Sequence, residues 1–181
     1  MHEVEAVKAL HRWDVQGKYL YRKRELSLLF GEQGPTLDST IRRLSRSGLL
    51  TSVTRDVYLW ELRWPYGRSV ALDLANFLRP GEFNYESLES AASRWGLISQ
   101  VPVGHVMVVT TGSPGEVPVG REGLIEFVHT DESLESLLDS GVVSRPDTTL
   151  PIASMRRTAD DLVRYGRSLD LIDWEELEDE D

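Results

Sequence analysis

Apolar positions in the first third of the chain recur first at helical and then at strand spacing. Val4, Val7, Leu10 and His11 would share one side of a helix over residues 3–13, which Asp14-Val15-Gln16-Gly17 closes. Leu26, Leu29 and Phe30 stand at i, i+3 and i+4; after the break from Gly31 to Pro35, Leu37, Ile41 and Leu44 form a second stripe at i, i+4 and i+7. Gly48 stands where a helix ends in left-handed backbone. Residues 49–54 and 57–62, rich in β-branched, aromatic and leucine side chains, flank Arg55-Asp56 as a hairpin. Helix, tight turn, helix and hairpin in this order predict a winged helix-turn-helix over residues 18–60.

The pattern changes beyond residues 63–68, where Pro65 and Gly67 punctuate a segment that suits a domain joint. Val70, Leu74 and Phe77 or Leu78 predict a helix over 69–78. A second helix is expected over 85–97, with Leu88, Ala91, Ala92 and Trp95 inward, Gly96 at its end and Asn84 or Ser87 as its cap. Residues 106–111 and 124–129 read as apolar strands joined by a glycine-rich hairpin turn. Ser154 would cap a further helix running through Leu162. Helices followed by strands indicate a small α+β domain. The expected organisation is a winged helix over 1–64, an α+β domain over 65–169 and an acidic tail over 170–181.

Composition narrows the function classes. The 181 residues suffice for one or two small domains, and the 40% hydrophobic content is that of a globular protein. No stretch approaches the roughly 18 to 20 uninterrupted apolar residues of a membrane span. The N-terminus lacks the basic and apolar regions of a secretory signal, so secretion is not expected; the DNA-reading segment supplies the expected placement, cytoplasm or nucleoid, without a membrane partner. Absence of cysteine removes disulfides, thiolate nucleophiles and thiolate metal sites. The formal charge of −10 is unevenly placed: residues 1–62 hold ten Lys and Arg against eight Asp and Glu, a net of +2, which leaves −12 for the remainder. At a Debye length of about 8 Å a distant acidic region is largely screened from a groove-docked helix. A module this weakly basic would lean on dimeric or cooperative occupation of double-stranded DNA.

The stripe of Leu37, Ile41 and Leu44 turns Thr36, Ser39, Arg42, Arg43 and Arg46 to the opposite side of their helix. Arginine presents a planar donor fork suited to phosphate and to the O6/N7 edge of guanine, and hydroxyls reach bases or backbone. Lys18, Arg22, Lys23 and Arg24 form a second basic cluster suited to phosphates, and Arg55 at the wing tip suits a minor groove. A solvated arginine face and a protein-docking winged helix remain alternatives.

No catalytic constellation emerges. Gly112, Gly115, Gly120 and Gly123 lack a following Gly-Lys-Ser/Thr, and His2, His11, His105 and His129 lack metal-ligand spacing. No G-x-S-x-G elbow occurs. Neither an enzyme nor a bound cofactor or metal is expected.

The winged helix is followed by FLRPGEFNYESLESAASRWGLI (77–98), VMVVTTG (106–112), LIEFVHT (124–130) and LPIASMRRTADDLV (150–163). In this order the chain resembles AbiEi-type antitoxins of type IV toxin-antitoxin systems. The most specific pieces are Tyr85-Glu86-Ser87-Leu88-Glu89-Ser90-Ala91 with Gly96-Leu97, and Ile152-Ala153-Ser154 opening a helix that carries Ala159 and Asp161. Met155-Arg156-Arg157 departs from the pattern. The resemblance implies a bacterial autorepressor that binds repeats in its own promoter. It also implies a C-terminal domain that counteracts a neighbouring nucleotidyltransferase toxin, directly or by opposing its effect.

Two other classes stay open. One is a transcription regulator whose α+β domain holds a small ligand. The other is an enzyme modifying a partner, which for phosphoryl transfer would need arginine in place of lysine because Lys8, Lys18 and Lys23 are the only lysines. In the acidic tail Leu171, Trp174 and Leu177 recur every three residues, a candidate partner-binding face. It would dock in a cationic cleft or fold back on the basic helix, unless the tail is simply solvated.

Overall fold

Ala6, Leu10 and Asp14 lie at successive turns of α1 (Glu3–Asp14) and are all buried. The helix is the expected one and Leu10 is buried as expected, but Val4 is 65% exposed and His11 is also exposed. A computed structural model describes residues 1–63 and 69–178, and the chain divides into two compact units, 1–67 and 68–181. Most of the expected joint, residues 64–68, lies outside the described residues.

In the first unit β1 (Leu20–Arg22) precedes α2 (Lys23–Phe30) and α3 (Gly34–Arg46), followed by β2 (Leu50–Thr54) and β3 (Val57–Trp60). α2 ends at Gly31 in left-handed backbone (φ +62°), and Pro35 sits in the first turn of α3, where a missing N–H has no partner to lose. Leu26 and Phe30 of α2 are buried, as are Leu37, Ile41 and Leu44 of α3. Gly48 (φ +70°) turns the chain into β2, and Asp56 (φ +57°) closes the β2–β3 hairpin. β1 is too short to show a pattern in sequence. It pairs antiparallel with β3, Leu20 opposite Leu59 and Arg22 opposite Val57, completing a three-stranded sheet in the order β1-β3-β2.

The second unit is built on a six-stranded mixed sheet. Its elements are α4 (Val70–Leu78), β4 (Asn84–Glu86), α5 (Leu88–Trp95), β5 (His105–Thr110), β6 (Gly115–Pro118) and β7 (Leu124–His129), then α6 (Leu134–Asp139), β8 (Val142–Val143), β9 (Ile152–Ala153), α7 (Met155–Tyr165) and α8 (Glu175–Glu178). The strand order is β6-β7-β5-β4-β9-β8. Met107 and Val109 of β5 join Leu88 and Ala92 of α5 and Ala159 and Leu162 of α7 in one apolar cluster. Alternation along the neighbouring strand turns Phe127 the other way, and the Arg79 guanidinium after α4 lies 4.6 Å from its ring centre. Helices therefore cover the sheet on both faces. The fold is mixed α+β, and among the described residues no helix is long and apolar enough to cross a membrane.

Three expectations for this unit are corrected. The helix expected over 85–97 begins only at Leu88, because Tyr85 and Glu86 pair with Val109 and Val108 of β5 and Glu86 with Ile152 of β9. β5 and β7 are not the arms of a hairpin; they run parallel, and the hairpin is β6–β7, with β6 formed from the glycine-rich segment. The stretch after residue 169 is not separate from the domain: Ile172 is buried in the same cluster and the Asp173 N–H donates to the Leu97 carbonyl at 2.8 Å.

Candidate nucleic-acid interface

The two sides of α3 differ as its spacing dictates. Leu37, Thr40, Ile41 and Leu44 are buried, whereas Thr36, Ser39, Arg42, Arg43 and Arg46 are all exposed. Pro35 and the absence of a carboxylate in the first turn leave the amino end of the helix open. Arg42 and Arg46 make no ion pair among the described residues, while the Arg43 guanidinium donates to the Met1 carbonyl. Two arginines and two hydroxyls are thus free to approach a ligand together.

The second basic cluster is differently placed. Lys18 pairs with Glu25, and Glu25 also reaches back to accept the Arg22 N–H at 2.6 Å, the position of a capping-box glutamate. Partial burial disfavours the Glu25 anion, but the Arg22 N–H and the Lys18 ammonium outweigh it and hold the carboxyl below its ordinary range. Lys23 pairs with Asp38 of α3 at 2.7 Å, and that hydrogen bond raises the lysine above its ordinary range. Lys18 and Lys23 are therefore charge-neutralised within the unit, and Arg22 lies in β1 half-buried. Arg55 at the hairpin tip is 97% exposed, with only a distant contact of 3.9 Å to Asp56. Sequence reasoning singles out the cations but misses Glu25 and Asp38 as their partners. The one available signal is Glu25 three positions after Arg22.

In the second unit the residues quoted for the family resemblance come together inside the domain. Asp161 of α7 accepts hydrogen bonds from the Ser87 hydroxyl at 2.7 Å and the Tyr85 hydroxyl at 3.1 Å. Its other oxygen lies 2.9 Å from the Arg157 guanidinium, which also donates to the Tyr85 oxygen at 3.0 Å and to Glu132 at 2.6 Å. Burial opposes the Arg157 charge, yet Glu132 and Asp161 hold it firmly protonated. The Arg157 hydrogen bond keeps the Glu132 carboxyl below its ordinary range despite partial burial, helped by the nearby Arg164. Ser87 stands at the N-cap position of α5 as expected, but its side chain makes no capping bond, and Asn84 lies in β4 instead of at a helix start. Ser87 spends its hydroxyl on Asp161, and the Asn84 amide donates to Asn76, Arg79 and Glu82. Ser154 does cap α7, accepting the Arg157 N–H at 3.2 Å. Tyr85, Ser87 and Asp161 are at most 1% exposed, so the cluster ties β4 and α5 to α7 and offers no approach to a substrate.

The expected tail face is divided. Leu177 packs against the core cluster, whereas Leu171 and Trp174 stay exposed.

No family model matches the chain, and no curated protein matches it. Among solved structures the chain is similar to the crystal structure of the RV2827C protein from Mycobacterium tuberculosis, with a TM-score of 0.59 and 15% sequence identity. That match covers 90% of this chain and 61% of the other, so the chain spans less than two thirds of that protein's length. At this identity the likeness is one of fold alone.

Proposed function

We propose that the chain is a DNA-binding autorepressor and antitoxin of the AbiEi type, with a winged helix-turn-helix as its first unit. The order helix, strand, helix, helix, strand, strand, with β1 added to the β2–β3 hairpin, supports the winged-helix assignment. The observation that carries DNA binding is the shared exposure of Thr36, Ser39, Arg42 and Arg46 opposite a buried apolar stripe, with both arginines unpaired. In this reading α3 enters the major groove and Arg55 of the wing reaches the adjacent minor groove. The second unit counteracts a nucleotidyltransferase toxin; the resemblance of its motif residues supports this part. Cytoplasmic location and dimeric or cooperative occupation of promoter repeats follow from the same proposal.

Electrophoretic mobility shifts on DNA from upstream of the protein's own gene, at low and physiological salt, test the first half. Alanine at a base-reading Arg42 or Arg46 is expected to weaken binding by about 1 to 3 kcal/mol and to relax sequence preference. A folded triple variant at Arg42, Arg43 and Arg46 that binds as tightly as wild type would overturn the proposal. Co-expression with the adjacent reading frame tests the second half, with growth rescue as the readout.

A further inference from the structure

The C-terminal segment sorts its apolar side chains into inward and outward sets. Ile172 is buried in the core cluster, Leu177 packs against that cluster, and the Asp173 N–H is held by the Leu97 carbonyl. Beside these fixed points Leu171 and Trp174 remain 37% and 48% exposed. Both line a pocket of about 530 Å³ whose other wall is the turn after α5, at Gly96, Leu97 and Ser99. An indole on backbone held beside an open pocket offers a large contact area, and the fixed backbone lowers the ordering cost when a partner covers it.

Charge selects the occupant. Asp173 and Glu175 line the same pocket and are exposed, and from Asp170 to the end the chain carries eight acidic residues and no basic one. Nucleic acid and anionic membranes are repelled by such a rim. A protein segment that sets an apolar side chain between lysines or arginines complements both features: the apolar group packs on the exposed Trp174 and Leu171, and the cations face Asp173 and Glu175. We infer that this pocket is the docking site for a cationic, apolar-bearing segment of a protein partner. Trp174 supplies the contact area, and the carboxylates supply attraction and orientation.

Fluorescence anisotropy with the full chain tests this with two labelled synthetic peptides of equal charge. One carries a leucine pair between arginines, and the other carries glycines in its place. The leucine peptide is expected to bind at least tenfold more tightly than the glycine peptide. Trp174→Ala should weaken the leucine peptide at least tenfold, Asp173→Asn with Glu175→Gln should weaken both peptides, and added salt should weaken both through screening. Trp174 and Leu171 are exposed, so Trp174→Ala should keep the wild-type circular dichroism. Leu171→Ala provides a second, milder probe of the same wall. Equal binding of the two peptides, or unchanged leucine-peptide binding in Trp174→Ala, overturns the inference. Tighter DNA binding by Trp174→Ala with unchanged peptide affinity also overturns it, and would identify the chain's own arginine helix as the occupant.

Discussion

The Ser87 hydroxyl donates to the Asp161 carboxylate at 2.7 Å, joining the β4–α5 corner to α7 inside the domain. The corner is strained: Leu88, directly after Ser87, takes left-handed backbone at φ +55°. Such a non-glycine residue persists where its surroundings hold it, and Leu88 is itself fully buried. Asp161→Ala should therefore do more than remove one bond, because it withdraws an anion from buried Arg157 and an acceptor from Ser87 and Tyr85. Breaking a buried pair from one side costs about 3 to 5 kcal/mol. Glu132 still holds Arg157, which places the expected loss near the low end. Ser87→Ala should cost about 1 to 3 kcal/mol. Urea unfolding of the full chain measures both, and an Asp161→Ala variant within about 1 kcal/mol of wild type would show that the cluster contributes little.

These residues also mark what the chain discloses before folding. α3 is legible because Leu37, Ile41 and Leu44 alternate with polar residues at one fixed period, a local property. β4 is not legible, because Tyr85 and Glu86 are strand residues only through partners at Val109, Val108 and Ile152, far along the chain. Glu86 is a particular obstacle: a fully buried glutamate looks like a surface helix residue until Arg94 and Arg145 arrive from elsewhere to neutralise it. The same holds for the interface. The outward arginines of α3 follow from periodicity, whereas the pairing of Lys23 with Asp38 depends on how α2 and α3 pack.

Gly123 supplies a sharper test of the second sheet. It adopts φ +105°, and a Cβ there would lie 2.0 Å from the Gly104 carbonyl oxygen. That contact is backbone against backbone at the start of the parallel β5–β7 pair, where the Leu124 N–H donates to the same carbonyl. No rotamer change relieves it. Gly123→Ala combines about 1 to 3 kcal/mol of backbone strain with a clash of similar size. A fall in thermal midpoint beyond that of Gly115→Ala, which shares a positive φ (+145°) but whose Cβ would meet open space, is the expected result. Equal midpoints for the two variants would contradict the close approach.

His129 is placed to titrate. Its Nδ1 lies 2.8 Å from the Gly112 carbonyl and its Nε2 2.8 Å from the Asp131 carboxylate, and only the imidazolium donates to both. The Asp131 hydrogen bond, then the Gly112 carbonyl, raise the pKa above its ordinary 6.5, with the charges of Asp131 and Glu82 adding in the same direction. The histidine's contribution to stability is then fully present below pH 6.5 and is lost as pH rises through the higher folded-state value. An NMR titration of the His129 ring should give a midpoint above that of the urea-unfolded chain, and Asp131→Asn should bring it down. A wild-type midpoint at or below the unfolded one would exclude the doubly donating imidazolium.

The Lys23–Asp38 pair divides the cations of the first unit into those available to the proposed DNA ligand and those engaged within the unit. Lys23 and Asp38 lie 2.7 Å apart and are 38% and 46% exposed, so solvent screens the pair and it contributes little to stability. Its larger effect is electrostatic: Asp38 places a negative charge on the proposed reading helix and occupies a lysine that would otherwise face phosphate. Asp38→Asn should leave stability nearly unchanged while tightening DNA binding. Each added phosphate contact steepens the dependence of log K on log salt by about 0.9, so the slope should rise by about one unit. Lys23→Ala should matter little in the wild-type chain and should abolish that gain in the Asp38→Asn background, a coupling that a double-mutant cycle isolates. If Lys23→Ala alone weakens binding as much as Arg42→Ala does, Lys23 leaves Asp38 to reach DNA, and the division between paired and free cations fails.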